Sequence, residues 1–170
     1  NAVLRLLEVE DFDALIAFVR TKQATLDLAS ALEAKGFKAA ALNGDIAQNQ
    51  RERVIESLKD GRLDIVVATD VAARGIDVPR ITHVFNVDMP YDPESYVHRI
   101  GRTGRAGGEG LAVSLICHTD WNLMSSIERY LKQAFERRQV KELLGSYTGP
   151  KKLKASGKAA GSKKKKQTKK

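Results

Sequence analysis

Five short segments of this sequence are almost entirely apolar and rich in β-branched residues, and longer segments with helical periodicity lie between them. The five apolar segments are residues 14–19, 38–42, 64–69, 83–87 and 111–116. Strands that are apolar on both faces are typical of a parallel sheet that helices cover on each side. The alternation therefore predicts an α/β fold, an open sandwich with a mainly parallel sheet.

The segments between the strands are predicted to be helices. Their ranges are residues 2–9, 22–35, 47–59, 93–103 and 120–136. In the second helix Leu26, Ala29 and Leu32 fall on one face, and Gly36 follows as a candidate C-terminal cap. Because ligands of open parallel sheets bind beyond the carboxyl ends of the strands, polar and glycine residues that directly follow a strand are the candidates for function.

The positive charge of the sequence is concentrated at its end. The net charge is +8, but residues 151–170 hold ten lysines and no acidic residue, which leaves 19 basic and 21 acidic side chains before them. Composition predicts a folded domain over residues 1–146 and a disordered, lysine-rich tail over residues 147–170. The folded part is not basic, so only the tail suggests an electrostatic RNA tether, and a solubilising tail is the alternative interpretation.

The remaining bulk features limit the location of the protein. No apolar run approaches the ~18 residues that span a membrane, and the start shows no signal-peptide pattern. The single cysteine, Cys117, excludes an internal disulfide and favours the reducing cytoplasm. Because Cys117 ends the apolar run LAVSLIC, we expect a buried thiol. The chain begins with Asn1 rather than Met, which predicts either a piece of a longer protein or a processed chain.

Polar residues follow the first two predicted strands. In VRTK, Thr21 can cap the next helix, and Arg20 and Lys22 are the alternative candidates to meet a phosphate. In LNGDIAQNQRERV, Gly44 belongs to a tight turn, and Asp45 is a candidate helix cap. Gln48 and Arg51 lie three residues apart near the start of that helix, where anions bind favourably. A solvated amphipathic helix is the alternative to an anion site.

The loop after the third strand, ATDVAARGIDVP, combines acidic and basic residues. The strand ends at Thr69, and Asp70, Arg74 and Asp77 follow around Gly75. A carboxylate at this place can accept hydrogen bonds from ribose hydroxyls, as acidic residues do in other nucleotide-binding sheets. The alternative is a structural network inside the loop, since charged groups this close to an apolar strand require specific partners.

The stretch HRIGRTGR, residues 98–105, places arginines at every third position. On a continuous helix Arg99, Arg102 and Arg105 would project within an arc of ~120°. The two glycines between them each lower helix propensity by ~1 kcal/mol, which favours close approach to a ligand over a solvated helix face. The sequence holds no GxxxxGK[ST] phosphate loop and no acidic pair after a strand for magnesium. If the arginines meet the γ-phosphate of a nucleotide, they form only half of its site, and a solvated helix face is the alternative interpretation.

Several of these motifs together resemble one family. FVRTK, NGDIAQNQR, ATDVAARGID, VFNVDMP and YVHRIGRTGR occur in the order of motifs IV, IVa, V, Vb and VI of the DEAD-box RNA helicases, with bacterial cold-shock-type members most similar. The resemblance implies a RecA-like, P-loop NTPase-like three-layer sandwich, the C-terminal half of a two-domain, ATP-dependent RNA helicase. Residues 1–146 would be that domain without its N-terminal strand, inactive as an ATPase when alone.

The resemblance also implies roles for residues of the arginine-rich stretch and of the loop before it. It makes Arg102 and Arg105 the arginine fingers that reach the γ-phosphate of ATP, and it places His98 and Arg99 against the catalytic and metal motifs of the other domain. Asp77 would face the ribose, and the residues assigned to nucleotide binding are Arg74, Gly75 and Asp77. Asp70 and Arg74 would join the network between the domains. ATP and Mg²⁺ would be bound mainly by the N-terminal RecA-like domain, so no metal ligand is expected in this chain.

RNA is the other ligand that the resemblance implies. The residues placed near its phosphate backbone are Thr21, Gly44, Gln48, Arg51 and Thr69. Because contacts in this family go to the backbone and the 2′-hydroxyls, we expect weak sequence preference. The expected partners are RNA and the N-terminal domain of the same protein, with no membrane. Two other functions stay open: an RNA-binding module that acts alone, and a translocase that acts on DNA.

Overall fold

The strands and helices follow the predicted order. The computed structural model describes residues 2–104 and 108–138, so Arg105, the predicted boundary after residue 146 and the lysine-rich tail lie outside the described residues. The strands are β1 (Ala14–Phe18), β2 (Ala39–Leu42), β3 (Ile65–Ala68), β4 (Ile81–Asn86) and β5 (Leu111–Ser114). The helices are α1 (Ala2–Val9), α2 (Lys22–Glu33), α3 (Gln48–Lys59), α4 (Pro93–Ile100) and α5 (Trp121–Leu131).

All five strands pair in parallel, in the order β2-β3-β1-β4-β5. The central strand β1 is buried along its whole length, because both faces of the sheet are covered. Ile16 and Phe18 point into a core cluster that α3 closes with Leu58, whereas Leu15 and Ala17 point into a second cluster that α1 and α2 close. The predicted three-layer α/β sandwich is confirmed.

The caps at the ends of two helices test two of the sequence predictions. Helix α2 ends in a Schellman motif, in which Phe37 N donates to Leu32 O (3.1 Å) and Gly36 N donates to Glu33 O (2.9 Å). Gly36 has a φ of 88°, which confirms it as the C-terminal capping glycine. The first turn of α3 is capped differently from the prediction, since its N-cap residue is Ala47 and Asp45 forms an ion pair with Lys22 instead.

Helix α4 is shorter than predicted. It ends at Ile100, and Gly101 is its C-cap residue, so the helix does not continue to residue 103. The arginines after it consequently do not form one helical row. Two hydrogen bonds characteristic of turns follow, from Arg102 N to Arg99 O and from Thr103 N to Ile100 O, both 3.1 Å long. The low helix propensity of glycine explains the early end.

The prediction that Cys117 is buried is wrong. Strand β5 ends at Ser114, its residues are only half-buried, and Cys117 lies exposed in the following turn. Its Sγ lies 2.7 Å from Asp120 Oδ2 and 2.8 Å from Thr119 Oγ1. Within residues 2–104 and 108–138, none of the helices has both the length and the apolar character that crossing a membrane requires.

Candidate functional site

The loops that follow β1, β2, β3 and β4 all emerge at one edge of the sheet because the strands are parallel. Hydrogen bonds join these loops to one another. Asn43 Nδ2, after β2, donates to Thr25 Oγ1 in α2 (2.9 Å), and Thr69 N, after β3, donates to Leu42 O (3.3 Å). This carboxyl edge brings together the residues that the sequence singled out after separate strands.

A cleft of about 360 Å³ opens at this edge between the loop after β3 and helix α4. The residues that line it are Phe18, Asp70, Ala73, Arg74, Gly75, Ser95, His98, Arg99 and Arg102. Six of them were predicted site residues, from two motifs that lie more than twenty residues apart in the sequence. Asp77 is exposed two residues beyond Gly75 and does not line the cleft.

Arg99 forms the floor of this cleft, and its side chain is only 1% exposed. Its Nε and Nη2 donate to the two carboxylate oxygens of Asp70 at 2.6 and 2.8 Å, a bidentate pair. Its Nη1 donates to Asp88 O (2.6 Å) and Asn86 Oδ1 (3.2 Å), and the guanidinium lies 5.0 Å from the centre of the Phe18 ring. The structure therefore turns Arg99 inward, away from the exposed arginine row that helical spacing suggested.

Asn86 and Asp88 are the partners that sequence reasoning missed. Asn86 is fully buried in β4, and its Nδ2 donates to Ser114 Oγ in β5 (3.0 Å). Asp88 also accepts a hydrogen bond from Arg20 N through Oδ2 (2.9 Å). The available signal was a polar Asn inside the apolar strand segment HVFNV, because a buried amide requires specific partners.

Arg102 leaves the turn after α4 and crosses to the opposite wall of the cleft. Its Nη1 donates to Ile76 O (2.9 Å), and its Nε donates to His98 O (3.2 Å). The side chain is half-buried, whereas His98 is exposed at the same end of α4. Arg102 thus reaches the loop that carries Arg74 and Gly75 while lining the open cleft.

The loop of residues 69–77 has a compact backbone. Ala73 N donates to Thr69 O (3.0 Å) and Ile76 N donates to Ala73 O (3.2 Å), and the side chains of Ala73 and Ile76 are buried in the core. Gly75 has a φ of 72°, in the left-handed region that disfavours side chains. Because these hydrogen bonds and buried side chains hold the backbone of the loop, the exposed Arg74 projects from a defined position.

Helix α4 is positioned by a cap at its start. Asp92 Oδ1 accepts from Ser95 N (2.8 Å) and Oδ2 accepts from Ser95 Oγ (2.9 Å). These hydrogen bonds from Ser95 lower the pKa of Asp92, so the carboxylate remains ionised at the positive end of the helix. Burial raises the pKa of Tyr96, which packs from α4 against Ile127 of α5. The cap fixes the start of the helix whose end presents His98 and Arg99.

The residues expected near RNA lie along the same edge but have local partners. Thr21 Oγ1 accepts from Ala24 N (3.1 Å), which confirms the capping interpretation, and Gln48 Nε2 donates to Glu52 Oε1 (2.8 Å). Gly44 is exposed and Thr69 is half-buried. Arg51 extends from α3 to the 69–77 loop, where it donates to Ala72 O and Arg74 O.

The chemistry of the cleft suits an anionic ligand. Arg74, His98 and Arg102 line its open part, and the Asp70 carboxylate is already paired with Arg99. A guanidinium fork matches phosphate geometry, and glycine permits close approach of a ligand to the backbone. Among the residues that the structure describes, no three His, Cys, Asp or Glu side chains converge to hold a metal ion. The donors that line the cleft fit the phosphates of a nucleotide.

The chain is similar to known proteins of one family. Residues 1–107 match the family described as the helicase conserved C-terminal domain. The chain is similar to the ATP-dependent RNA helicase DeaD of Mycobacterium tuberculosis (strain CDC 1551 / Oshkosh), with 56% identity over 140 residues that cover 82% of this chain and 25% of that protein. For the helicase of the same name from Escherichia coli (strain K12), identity is 57% over 147 residues, with coverages of 85% and 23%. The chain spans about a quarter of the length of these curated relatives.

Solved structures show the same arrangement of elements. The Escherichia coli DEAD-box protein SrmB, crystallised with regulator of ribonuclease activity A, superimposes with a TM-score of 0.82 at 39% identity, and 89% of each chain is covered. Dbp5 of Saccharomyces cerevisiae, bound to RNA and ADP BeF3, superimposes with a TM-score of 0.72 at 34% identity, covering 78% of this chain and 36% of that one.

Proposed function

This chain belongs to the DEAD-box RNA helicases, as a helicase C-terminal domain with a RecA-like fold, and from that membership we propose that it supplies half of an ATP-dependent RNA-unwinding enzyme. The family and fold predicted from the motifs are confirmed. The observation that supports the proposed role most strongly is the cleft, where residues of two motifs distant in the sequence meet.

In this proposal the cleft residues bind and neutralise the nucleotide phosphates. Arg102 and Arg105 donate to the γ-phosphate as arginine fingers, a contribution that is worth about 10³–10⁵ in rate in related phosphoryl-transfer enzymes. Arg74, Gly75 and Asp77 form the nucleotide-facing loop, with the Asp77 carboxylate accepting from the ribose hydroxyls. ATP supplies the phosphoryl group, and this chain supplies charge stabilisation for its transfer.

His98 and Arg99 take different parts in this scheme. His98 is exposed at the end of α4, so its ring can contact the partner domain. Arg99 is buried, and it serves the site through Asp70 and the end of β4. We assign His98 to the interdomain contact and Arg99 to positioning, with Asp70 as part of the same network.

The N-terminal RecA-like domain is the proposed partner, and it would hold most of the ATP and the Mg²⁺. Two facts support this division: the sequence contains no phosphate loop, and the described residues offer no metal-binding cluster. Closure of the two domains would bring the nucleotide against the cleft and exclude water from it. A cytoplasmic location is proposed on other grounds, because an exposed thiol such as Cys117 suits a reducing compartment.

RNA would bind along the carboxyl edge beside the cleft, near Thr21, Gly44, Gln48 and Thr69. These residues follow β1, β2 and β3, which are neighbours in the sheet, so their loops form one continuous surface. Backbone contacts there would hold RNA with weak sequence preference. Dbp5, a protein of the same family, has been solved with RNA and a nucleotide analogue bound.

The test is RNA-stimulated ATPase activity of the full-length protein with Arg102→Ala or Arg105→Ala. We expect each variant to lose about 10³-fold or more of the RNA-stimulated turnover while it still binds ATP. Arg129→Ala is the control, because it removes an arginine from the exposed end of α5, outside the cleft. Undiminished turnover in the Arg102 and Arg105 variants would disprove the finger assignment.

Replacing RNA by single-stranded or duplex DNA in the same assay separates this function from a DNA translocase. We expect RNA to stimulate hydrolysis and DNA of the same length to leave it near the basal rate, because 2′-hydroxyl contacts distinguish the two. Equal stimulation by DNA would contradict the proposal.

A further inference from the structure

The loop of residues 69–77 is held by arginines from two sides. From the turn after α4, Arg102 donates to Ile76 O at 2.9 Å. From α3, the Arg51 guanidinium donates to two carbonyls, Ala72 O through Nη1 and Arg74 O through Nη2, the latter at 2.7 Å. We propose that Arg51 is a positioning residue that couples RNA binding to nucleotide binding by holding this loop, an inference that rests on the proposed function.

The geometry explains why an arginine stands at this position. Two nitrogens of one planar guanidinium reach carbonyls two residues apart, and a lysine ammonium lacks that fork. Both carbonyls belong to the segment just before Gly75, where the backbone turns into the left-handed region. Charge-assisted hydrogen bonds of this kind are among the stronger ones in proteins, so the loop follows the position of α3.

Arg51 lies in the first turn of α3, and its N donates to Ala47 O (3.0 Å) in the helix backbone. Gln48, three residues earlier in the same turn, is proposed to face RNA, and its Nε2 donates along the helix to Glu52 Oε1 (2.8 Å). One rigid turn therefore presents Gln48 to the RNA surface and Arg51 to the nucleotide loop. A shift of α3 on RNA binding moves the carbonyls of Ala72 and Arg74 and so changes the affinity for nucleotide. Thermodynamic linkage requires that nucleotide binding change the affinity for RNA by the same factor.

This role differs from that of a phosphate ligand. A ligand contributes to RNA affinity whether or not nucleotide is bound, and it contributes to the salt dependence of that affinity. A positioning residue changes the cooperativity between RNA and nucleotide and leaves RNA binding alone almost unchanged. The two roles consequently predict opposite results for the same substitution.

The first experiment uses the full-length protein with Arg51→Gln, Arg51→Lys and, as control, Arg53→Gln. Arg53 is exposed two residues further along α3, so its substitution removes the same charge from the same helix. RNA affinity is measured with and without a non-hydrolysable ATP analogue, and KM for ATP is measured at saturating RNA.

For both Arg51 variants we expect the cooperativity to fall about tenfold, the equivalent of one lost charge-assisted hydrogen bond, with a matching rise in KM for ATP. Nucleotide-free RNA affinity should stay within about twofold, and Arg53→Gln should keep its cooperativity. Intact cooperativity in Arg51→Lys overturns the inference. So does a loss of nucleotide-free RNA affinity with a salt slope reduced by about 0.7, which marks a phosphate ligand.

The second experiment does not depend on helicase activity. Amide hydrogen exchange in the 170-residue chain reports how firmly the loop is held, through Ala73 N and Ile76 N, which are both hydrogen-bonded within it. We expect exchange at these amides to be about tenfold faster in the Arg51 variants and unchanged in Arg53→Gln. Unchanged exchange overturns the inference even if the full-length enzyme proves active, whereas an inactive wild-type enzyme would defeat the proposed function alone.

Discussion

Removing the Arg99 guanidinium would expose how much the network beneath the cleft contributes to stability. Arg99→Met keeps an apolar stem but removes the donors to Asp70, Asn86 and Asp88. Breaking a buried ion pair by removing one partner costs about 3–5 kcal/mol. The Asp70 side chain is 36% exposed and can regain water, whereas Asn86 is fully buried and loses the donor to its Oδ1. The expected loss is therefore about 3 kcal/mol, at the lower end of that range.

The assay is urea denaturation of the 170-residue chain, with Arg99→Lys as the matched variant. Lysine retains the charge but lacks the bidentate fork to Asp70, so we expect about half of the loss seen for Arg99→Met. A domain of this size has a total stability of about 5–15 kcal/mol, so both losses are measurable as shifts of the midpoint at constant slope. A loss below about 0.5 kcal/mol for Arg99→Met would show that the buried network does not stabilise the fold, because that value is typical of surface substitutions.

Three further predictions concern single groups. Burial lowers the pKa of His83 below its ordinary value of 6.5 despite the Glu10 carboxylate 4.0 Å away, so the unfolded chain takes up the proton first. The free energy of unfolding should therefore fall as the pH drops from 6.5 towards the lowered pKa, and His83→Gln should flatten that part of the urea-denaturation profile. Gly75→Ala should cost about 1–2 kcal/mol because its φ is 72°, although no atom lies within 4 Å of the added Cβ. In the same assay Gly44→Ala, without a positive φ, should change stability by less than about 0.5 kcal/mol. Thr21→Ala should cost about 1 kcal/mol by removing the α2 cap, and Thr21→Ser should not, so RNA affinity measured for both variants isolates any RNA contact.

The sheet was predictable because a strand that helices cover on both faces is apolar at consecutive positions. Residues such as Ile16 and Ala17 face opposite core clusters, so the strand must be apolar throughout, and that pattern is visible in the sequence. The same rule failed at Cys117, because the apolar run continues past the end of β5. The residues of this edge strand are only half-buried, so an apolar run there does not mark the core.

The sequence predicted which residues contribute to the site, but it did not predict how their side chains are arranged. Helical spacing predicts that Arg99 and Arg102 project from the same exposed face. In the structure Asp70, 29 residues before Arg99, pairs with Arg99 and holds its side chain in the interior. Arg51 likewise finds its carbonyl partners 21 and 23 residues away. Such pairings depend on the order of strands in the sheet, which a local pattern does not encode. Motif position identified the edge of the sheet, and the fold decided which side chains line the cleft.

We propose above that this chain is one half of a composite ATPase that RNA activates. The most direct measurement is ATP hydrolysis by the 170-residue chain, by the N-terminal RecA-like domain, and by the two domains joined, each with and without RNA. We expect hydrolysis above background only when both domains and RNA are present. Hydrolysis by the 170-residue chain alone, or a joined protein that RNA does not stimulate, would contradict it.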